Sequence, residues 1–312
     1  MKILKITSLV LLAILCIPFL PMSSASTAQP LVSIETSIVK TMDPVLPSPE
    51  LPHRLIPLRI LLYSQYADDT NELPSTLLAI NNTYGTDYYL TELLDYTNLA
   101  SALPGHDILL IPEQEMSNIA MMQTIGTAWA SILPDWVNGG GIVILMDFAN
   151  ATFYGQGIHI LNESGLMTIS GVTDYYPAGS LTTVYRVDTS DALTRGVAAS
   201  WSAQSGTISV DTTDGTIIAD DGTDPVVVHK IMGQGHIVFL GFDLYATDPN
   251  YELLLGNAIR LHRHVVFDSS HFNYGDIFGS YSSYADDLVT AGFAVSNMGT
   301  FNPALFDACD VL

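Results

Sequence analysis

Acidic and amide side chains gather where four apolar runs end. Ser64 and Gln65 follow Arg59-Ile-Leu-Leu-Tyr63. Glu113, Gln114 and Glu115 follow Asp107-Ile-Leu-Leu-Ile111, Asp147 follows Ile142-Val-Ile-Leu-Met146, and Asp243 follows His236 to Phe242. Paired carboxylates can move protons in hydrolysis or hold a hard cation such as calcium. The commoner use of such residues is to cap helices and solvate loops. Ser64, Gln65, Glu113, Glu115, Asp147 and Asp243 are therefore ligand-binding candidates, with no catalytic set and no metal site assigned.

Other patterns fit chemistry less well. Asp211, Asp214, Asp220, Asp221 and Asp224 are dense in carboxylate but lack EF-hand spacing, and Asp214-Gly215 and Asp221-Gly222 are what hairpin turns need. His262, His264 and His271, with Asp268 near, resemble a metal set, yet His262 falls at a helix end, where an imidazolium meets the dipole favourably. Gly155-Gln-Gly157 and Gly233-Gln-Gly235 lack the third glycine of a dinucleotide loop. There is no P-loop lysine or G-x-S-x-G serine elbow, and no cofactor is expected. Tyr88, Tyr89, Tyr175, Tyr176 and Trp201 can line a sugar or peptide face, though core or rim packing is their plainer use.

The 312 residues carry ten Lys plus Arg against thirty-two Asp plus Glu, a net charge of −22. Charged residues make up 13% of the chain, about half the share of an ordinary soluble domain. The surface must be Ser, Thr, Asn, Gly and Tyr with scattered negative charge. That excludes a nucleic-acid role, because phosphates would find no counter-charge. At 48% hydrophobic the chain can bury a large core and is no disordered acidic tail.

Lys2, Lys5, the apolar run Ile6 to Leu20 and the small residues Ser23 to Ala28 read as a secretory signal cleaved after Ala25 or Ala28. The competing reading is an uncleaved anchor, but the run is shorter than the ~20 residues of a spanning helix. A secreted or cell-surface protein without a membrane span in its mature chain is expected. Cys16 would leave with the signal, so Cys309 is the one remaining thiol and no internal disulfide forms. Sequons at Asn81, Asn150 and Asn162 suit an exported glycoprotein.

Positioning elements follow from the pattern. Six prolines between residues 29 and 57 predict an extended spacer. Residues 59–63 are a strand buried on both faces, followed by a helix from Leu73 to Asn82 that stops at Gly85. Strands follow at Tyr88 to Leu90 and Asp107 to Ile111. Ser117 caps a helix with apolar residues Ile119, Met122, Ile125, Trp129, Ile132 and Trp136, kinked by Pro134 and stopped by Gly139-Gly-Gly141 before strand Ile142 to Met146. This rhythm predicts a parallel sheet with helices on both faces. Thr207 to Val210, Thr216 to Ala219, Pro225 to Ile231 and His236 to Phe242 predict antiparallel hairpins extending that sheet. Asp248 caps a helix, with Pro249 as its first residue, running to His262.

The opening pattern then returns. Val265 to Phe267 is a strand, Ser282 to Ala291 a helix ending at Gly292, and Phe293 to Val295 a strand. Leu305-Phe-Asp-Ala-Cys-Asp-Val-Leu312 parallels Leu103 to Leu110. Strand one to the aspartate before strand three spans 47 residues from Ile60 to Asp107, and 45 from Val265 to Asp310. A tandem repeat, incomplete in its second copy, is expected, against the alternative of a tail packed on the first domain.

Leu103-Pro-Gly-His-Asp-Ile-Leu-Leu-Ile-Pro-Glu113, Trp136-Val-Asn-Gly-Gly-Gly141, Asp147, Gly233-Gln-Gly-His-Ile-Val-Phe-Leu-Gly-Phe-Asp243 and Leu254-Leu-Gly-Asn-Ala-Ile259 resemble class I glutamine-amidotransferase-like domains. More narrowly, they are similar to the non-catalytic branch in exported archaeal and bacterial proteins and in gliding-motility and intraflagellar-transport proteins. The resemblance implies a flavodoxin-like, doubly wound α/β fold. Catalytic members of that superfamily place an activated cysteine on a turn after a strand. Here no cysteine lies between Cys16 and Cys309.

The expected architecture is thus residues 1–28 signal, 29–57 spacer, 58–262 amidotransferase-like domain and 263–312 incomplete second copy. The expected role is an exported, non-enzymatic binding module for an extracellular protein or carbohydrate. The alternative is a carboxylate-based hydrolase, with or without a metal, acting on an extracellular substrate.

Overall fold

The computed structural model of the protein describes residues 58–86, 88–149, 155–175, 182–212, 214–242, 244–245, 247–262, 264–268, 282–290 and 293–298. The signal, the spacer, Asn150, Tyr176, Asp243, His271, Cys309 and the strand expected near the end of the chain lie outside them.

The apolar runs become the strands β1 (Leu58–Tyr63), β2 (Tyr88–Leu93) and β3 (Ile108–Ile111) where the sequence places them, with the expected helix α1 (Glu72–Thr83) after β1 and a short helix α2 (Leu99–Ala102), not expected from the sequence, before β3. The single helix expected next divides into α3 (Ile119–Trp129) and α4 (Leu133–Asn138). Pro134 sits in the first turn of α4, where its missing N–H costs nothing, so it opens a new helix instead of kinking an old one. The cap of α3 is Asn118 and not Ser117, its side chain accepting from the Met121 N–H. β4 (Ile142–Met146), α5 (Ile158–Glu163), β5 (Ile169–Tyr175), β6 (Thr183–Arg186) and β7 (Ser200–Ser202) follow. Then come β8 (Ile208–Thr212), β9 (Thr216–Asp220), β10 (Pro225–Met232), β11 (Gly235–Leu240) and α6 (Pro249–Arg260), capped as expected by Asp248.

Nine strands form one sheet in the order β2-β1-β3-β4-β11-β10-β9-β6-β7. The first five are parallel, in the strand order of a flavodoxin-like doubly wound fold, and β10, β9, β6 and β7 extend it antiparallel. One expected hairpin strand goes elsewhere: β8 pairs with β5 in a separate two-stranded sheet.

Alternate residues of each central strand feed opposite cores. Ile60, Leu62, Ile108, Leu110, Ile144 and Val238 meet the helices α1 and α6 on one face. Leu61, Leu109, Val143, Leu145, Ile237 and Phe239 meet α3, α4 and α5 on the other. Full burial on both faces is why these strands read as unbroken apolar runs.

Beyond α6 lie β12 (His264–Asp268), α7 (Ser282–Thr290) and β13 (Ala294–Met298), with β12 and β13 paired in parallel. This repeats the order β1, α1, β2. Paired residues stand thirty apart in both, Leu58 with Tyr88 and His264 with Ala294. Among the described residues no helix is long and apolar enough to cross a membrane.

Candidate functional site

In a doubly wound sheet, ligands bind beyond the carboxyl ends of the strands where the strand order reverses. Here that point lies between β1 and β3, under the loops that follow them. Two glutamines knit these loops together. Gln65 accepts from the Tyr96 N–H at 3.0 Å and from the Tyr63 hydroxyl at 3.2 Å. Gln114 accepts from the Tyr66 N–H at 3.3 Å and donates to the carbonyls of Pro112 at 2.7 Å and Tyr63 at 3.2 Å. The Met116 N–H adds a bond to the Tyr66 carbonyl. Gln65, expected at a ligand, is therefore occupied in bracing the frame.

Asp68, Glu72 and Glu115 meet on this frame, each offering a carboxylate oxygen within 4.8 Å of the others. Glu72 is buried and the other two are half-buried. Asp68 accepts from the Asn71 amide at 3.0 Å and the Thr70 N–H at 2.8 Å, and these bonds hold its pKa below the usual carboxylate value. Burial, and then the charge of Asp68, push Glu115 upward. Glu72 stands in the first turn of α1, where the helix dipole favours an anion. Leu94, Met116 and Ile119 expose apolar surface beside the loops.

Of the expected residues, Glu115 belongs to this cluster and Ser64 lies half-buried at the end of β1. Glu113 and Asp147 face inward, at 0% and 1% exposure. Asp147 accepts from the Phe148 N–H at 3.0 Å and the Ile158 N–H at 2.9 Å, with the Gly157 N–H as a third donor. Burial nevertheless dominates and raises its pKa to about 7. Sequence inspection missed Asp68 and Glu72. The available signal was their position in Asp68-Asp-Thr-Asn-Glu72, the loop after strand one at the reversal point.

Among the described residues, several of the remaining acidic and histidine side chains have structural partners, whereas His271 and the side chains of His264 and Asp268 lie outside them. Asp220 and Asp221 accept turn N–H groups from Gly222, Thr223 and Asp224, and Asp214 pairs with Lys230 at 2.6 Å. His262 stands 3.6 Å from Asp107. Tyr88 donates to Asn81 and Trp201 is buried, whereas Tyr89 is exposed on the edge strand β2.

No protein-family model matches the chain, and no curated protein matches it. Among solved structures, a ThuA-like protein from Bacteroides uniformis is similar at 13% identity and a TM-score of 0.45, covering 69% of this chain and 94% of its own. PurLQS from Thermotoga maritima is similar at 9% identity and a TM-score of 0.45, covering 65% and 97%. A cytoplasmic protein from Salmonella typhimurium LT2 reaches a TM-score of 0.47 at 10% identity, covering 65% and 98%. At such values none of them brings an activity or a ligand to this chain.

Proposed function

We propose that the protein is an exported, non-enzymatic binding module with an amidotransferase-like fold, which takes an extracellular protein or carbohydrate over the loops after β1 and β3. The observation that carries this is the inward turn of two strand-end carboxylates, Asp147 and Glu113. A general acid or base must reach its substrate, and Asp147 and Glu113 lie at 1% and 0% exposure. The chain also has no cysteine between Cys16 and Cys309 to act as a nucleophile. The half-buried Asp68 and Glu115, with the exposed Met116 next in the chain to Glu115, offer the mixed polar and apolar rim of a recognition surface. The test is a screen of the purified protein against glutamine, ester and glycoside substrates. No turnover is expected; turnover abolished by Glu115→Gln would overturn the proposal.

The alternative, a cation-assisted carboxylate hydrolase, draws on the mutual approach of Asp68, Glu72 and Glu115. Calcium and zinc titrations of protein purified without chelator separate the two. A saturable thermal upshift lost in Asp68→Asn, together with cation-dependent turnover, would favour the hydrolase.

A further inference from the structure

Two sequons fall on described residues, Asn81-Asn-Thr83 and Asn162-Glu-Ser164, and the fold treats them in opposite ways. An N-linked sugar needs the hydroxyl two residues on, an asparagine Nδ2 that the fold does not use, and space for the first sugar.

Asn162 lacks the last two. Its Nδ2 donates to the Ile169 carbonyl at 2.7 Å and its Oδ1 accepts from the Ile169 N–H at 2.7 Å, which fastens the end of α5 to the start of β5. Ser164 is 1% exposed, and its hydroxyl donates to the Leu161 carbonyl at 3.3 Å. A sugar on Nδ2 would have to enter that contact between helix and strand.

Asn81 has all three. It is exposed in the last turn of α1. Its Oδ1 accepts from the Tyr88 hydroxyl at 2.9 Å, and its Nδ2 has no hydrogen-bond partner among the described residues. The packing task falls to Asn82, whose amide donates to Glu252 of α6 at 3.3 Å. A carboxamide has two N–H groups and one carbonyl. Glycosylation replaces one N–H and leaves the carbonyl, so the Tyr88 bond survives the attachment and holds the linked amide in place. Thr83 supplies the sequon hydroxyl from the last residue of α1, where it donates to the Ala79 carbonyl at 2.6 Å. Helix ends fray, so this turn can open and present Asn81 to Thr83 as extended chain while the sheet stays intact.

The surroundings give a sugar something to cover. Leu78, three residues before Asn81 on the same helix face, is 50% exposed. β2 begins at Tyr88 and is the end strand of the nine-stranded sheet, with Tyr89 62% exposed on it. Exposed edges are usually guarded by charge or proline. In Tyr88-Tyr-Leu-Thr-Glu-Leu93 the only guard of that kind is Glu92. Asn81 also lies beside the first residue of β2, at the pole opposite the carboxyl ends of β1 and β3, so a glycan there leaves the proposed recognition loops open.

We propose that Asn81 is the acceptor of an N-linked oligosaccharide, which shields Leu78 and the head of the β2 edge, and that Asn162 stays unmodified in the folded protein. The proposal rests on the export reading, because the donor class is an oligosaccharide on a lipid diphosphate, presented outside the cytoplasm. In the transfer a bond forms between Asn81 Nδ2 and the anomeric carbon, and the bond from that carbon to the diphosphate oxygen breaks. The diphosphate departs with the electron pair, and Nδ2 gives up one proton.

The test is secretion of the chain from an N-glycosylating host in two forms, one behind its own residues 1–28 and one behind the host's signal. Glycosidase release in heavy-oxygen water converts each occupied asparagine to labelled aspartate, which peptide mass spectrometry reads. In the secreted host-signal form the label is expected at Asn81 and not at Asn162. It should be kept in Thr83→Ser and lost in Thr83→Val or, should that variant not fold, in Asn81→Gln. Self-association on concentration should rise in the unglycosylated variant relative to Thr83→Ser. Unmodified Asn81, modified Asn162 in the secreted protein, or equal self-association would overturn the proposal. Modification at Asn81 behind the host's signal, with the own-signal form held unmodified inside the cell, would refute export while supporting Asn81 as acceptor.

Discussion

Asp147 and Gly157 share one space. The Gly157 N–H donates to the buried carboxylate, and a Cβ at 157 would stand 3.1 Å from its Cγ and Oδ2. The carboxylate cannot step back, because the Phe148 and Ile158 N–H groups hold its two oxygens. Gly157→Ala should therefore cost about 1–3 kcal/mol in urea unfolding. Combined with Asp147→Ala it should cost less than the two single changes added together, since both disturb the same contact. Strict additivity would show that the two residues are not coupled.

The same carboxylate sets a pH dependence. Its folded pKa is raised to about 7, whereas an unfolded carboxyl titrates near 3.9. Between those values the native state binds the extra proton, so stability falls as pH rises, by about 1.4 kcal/mol per unit in mid-window. Asp191 and Asp214 are shifted the other way, each lowered against its own burial. For Asp191 the cause is His229, and for Asp214 it is Lys230. Their stabilisation is present above the unfolded carboxyl pKa and is lost only as pH falls below it. Urea midpoints at pH 4 to 7 for the natural protein minus those for Asp147→Asn isolate the Asp147 slope. Parallel curves would refute it.

Asn257 tests whether the turn between β6 and β7 is held from α6. Its amide donates at 2.8 and 2.9 Å to the carbonyls of Leu193 and Arg195, and it is 5% exposed. Asn257→Ala leaves both carbonyls without that donor and should cost about 2–3 kcal/mol. Hydrogen exchange should rise in residues 191–198 more than in β3 or β4. A uniform rise across the protein would mean that the turn is not a separate unit.

The fold was largely legible because its central strands are buried on both faces. Ile108–Ile111 and Ile142–Met146 are unbroken apolar runs that no other setting explains as well. The edge was not legible: β6 and β7 are short, half-exposed strands with no period to mark them. The site was read at one remove. Glu115 was found from its place after β3, but its partners Asp68 and Glu72 come from another loop, and only the sheet brings them together. Asp147 and Gln65 have the residue types of a site and are spent on the scaffold, a distinction that rests on burial and partners, which types and spacing do not carry. The hydrogen-bonded set of Asp191, His229 and His236 carried no local signal at all, being joined only by strand pairing and a loop.

Gly233-Gln-Gly235 has the outline of a phosphate loop but is explained by close packing. Gly233 has φ +62°, in the left-handed region, and a Cβ on Gly235 would stand 2.2 Å from the carbonyl oxygens of Gly141 and Val137. Both neighbours are backbone. The Val137 carbonyl accepts from the Gly140 N–H, and the Gly141 carbonyl accepts from the His236 N–H. At Gly256 a Cβ would also stand 2.2 Å from its nearest neighbour, but that neighbour is the Thr83 hydroxyl, on a side chain of the adjoining helix α1. Equal clash distances should therefore give unequal losses. Gly256→Ala can be absorbed by a small shift of α6 on α1, at about 1–3 kcal/mol. Gly235→Ala must move the β10–β11 hairpin off the α4–β4 turn, and with it the strand pairing β11 to β4, so its loss should exceed that range. Urea unfolding of the two variants measures the order directly. A Gly235→Ala protein as stable as Gly256→Ala would mean that the hairpin yields as easily as a helix pair.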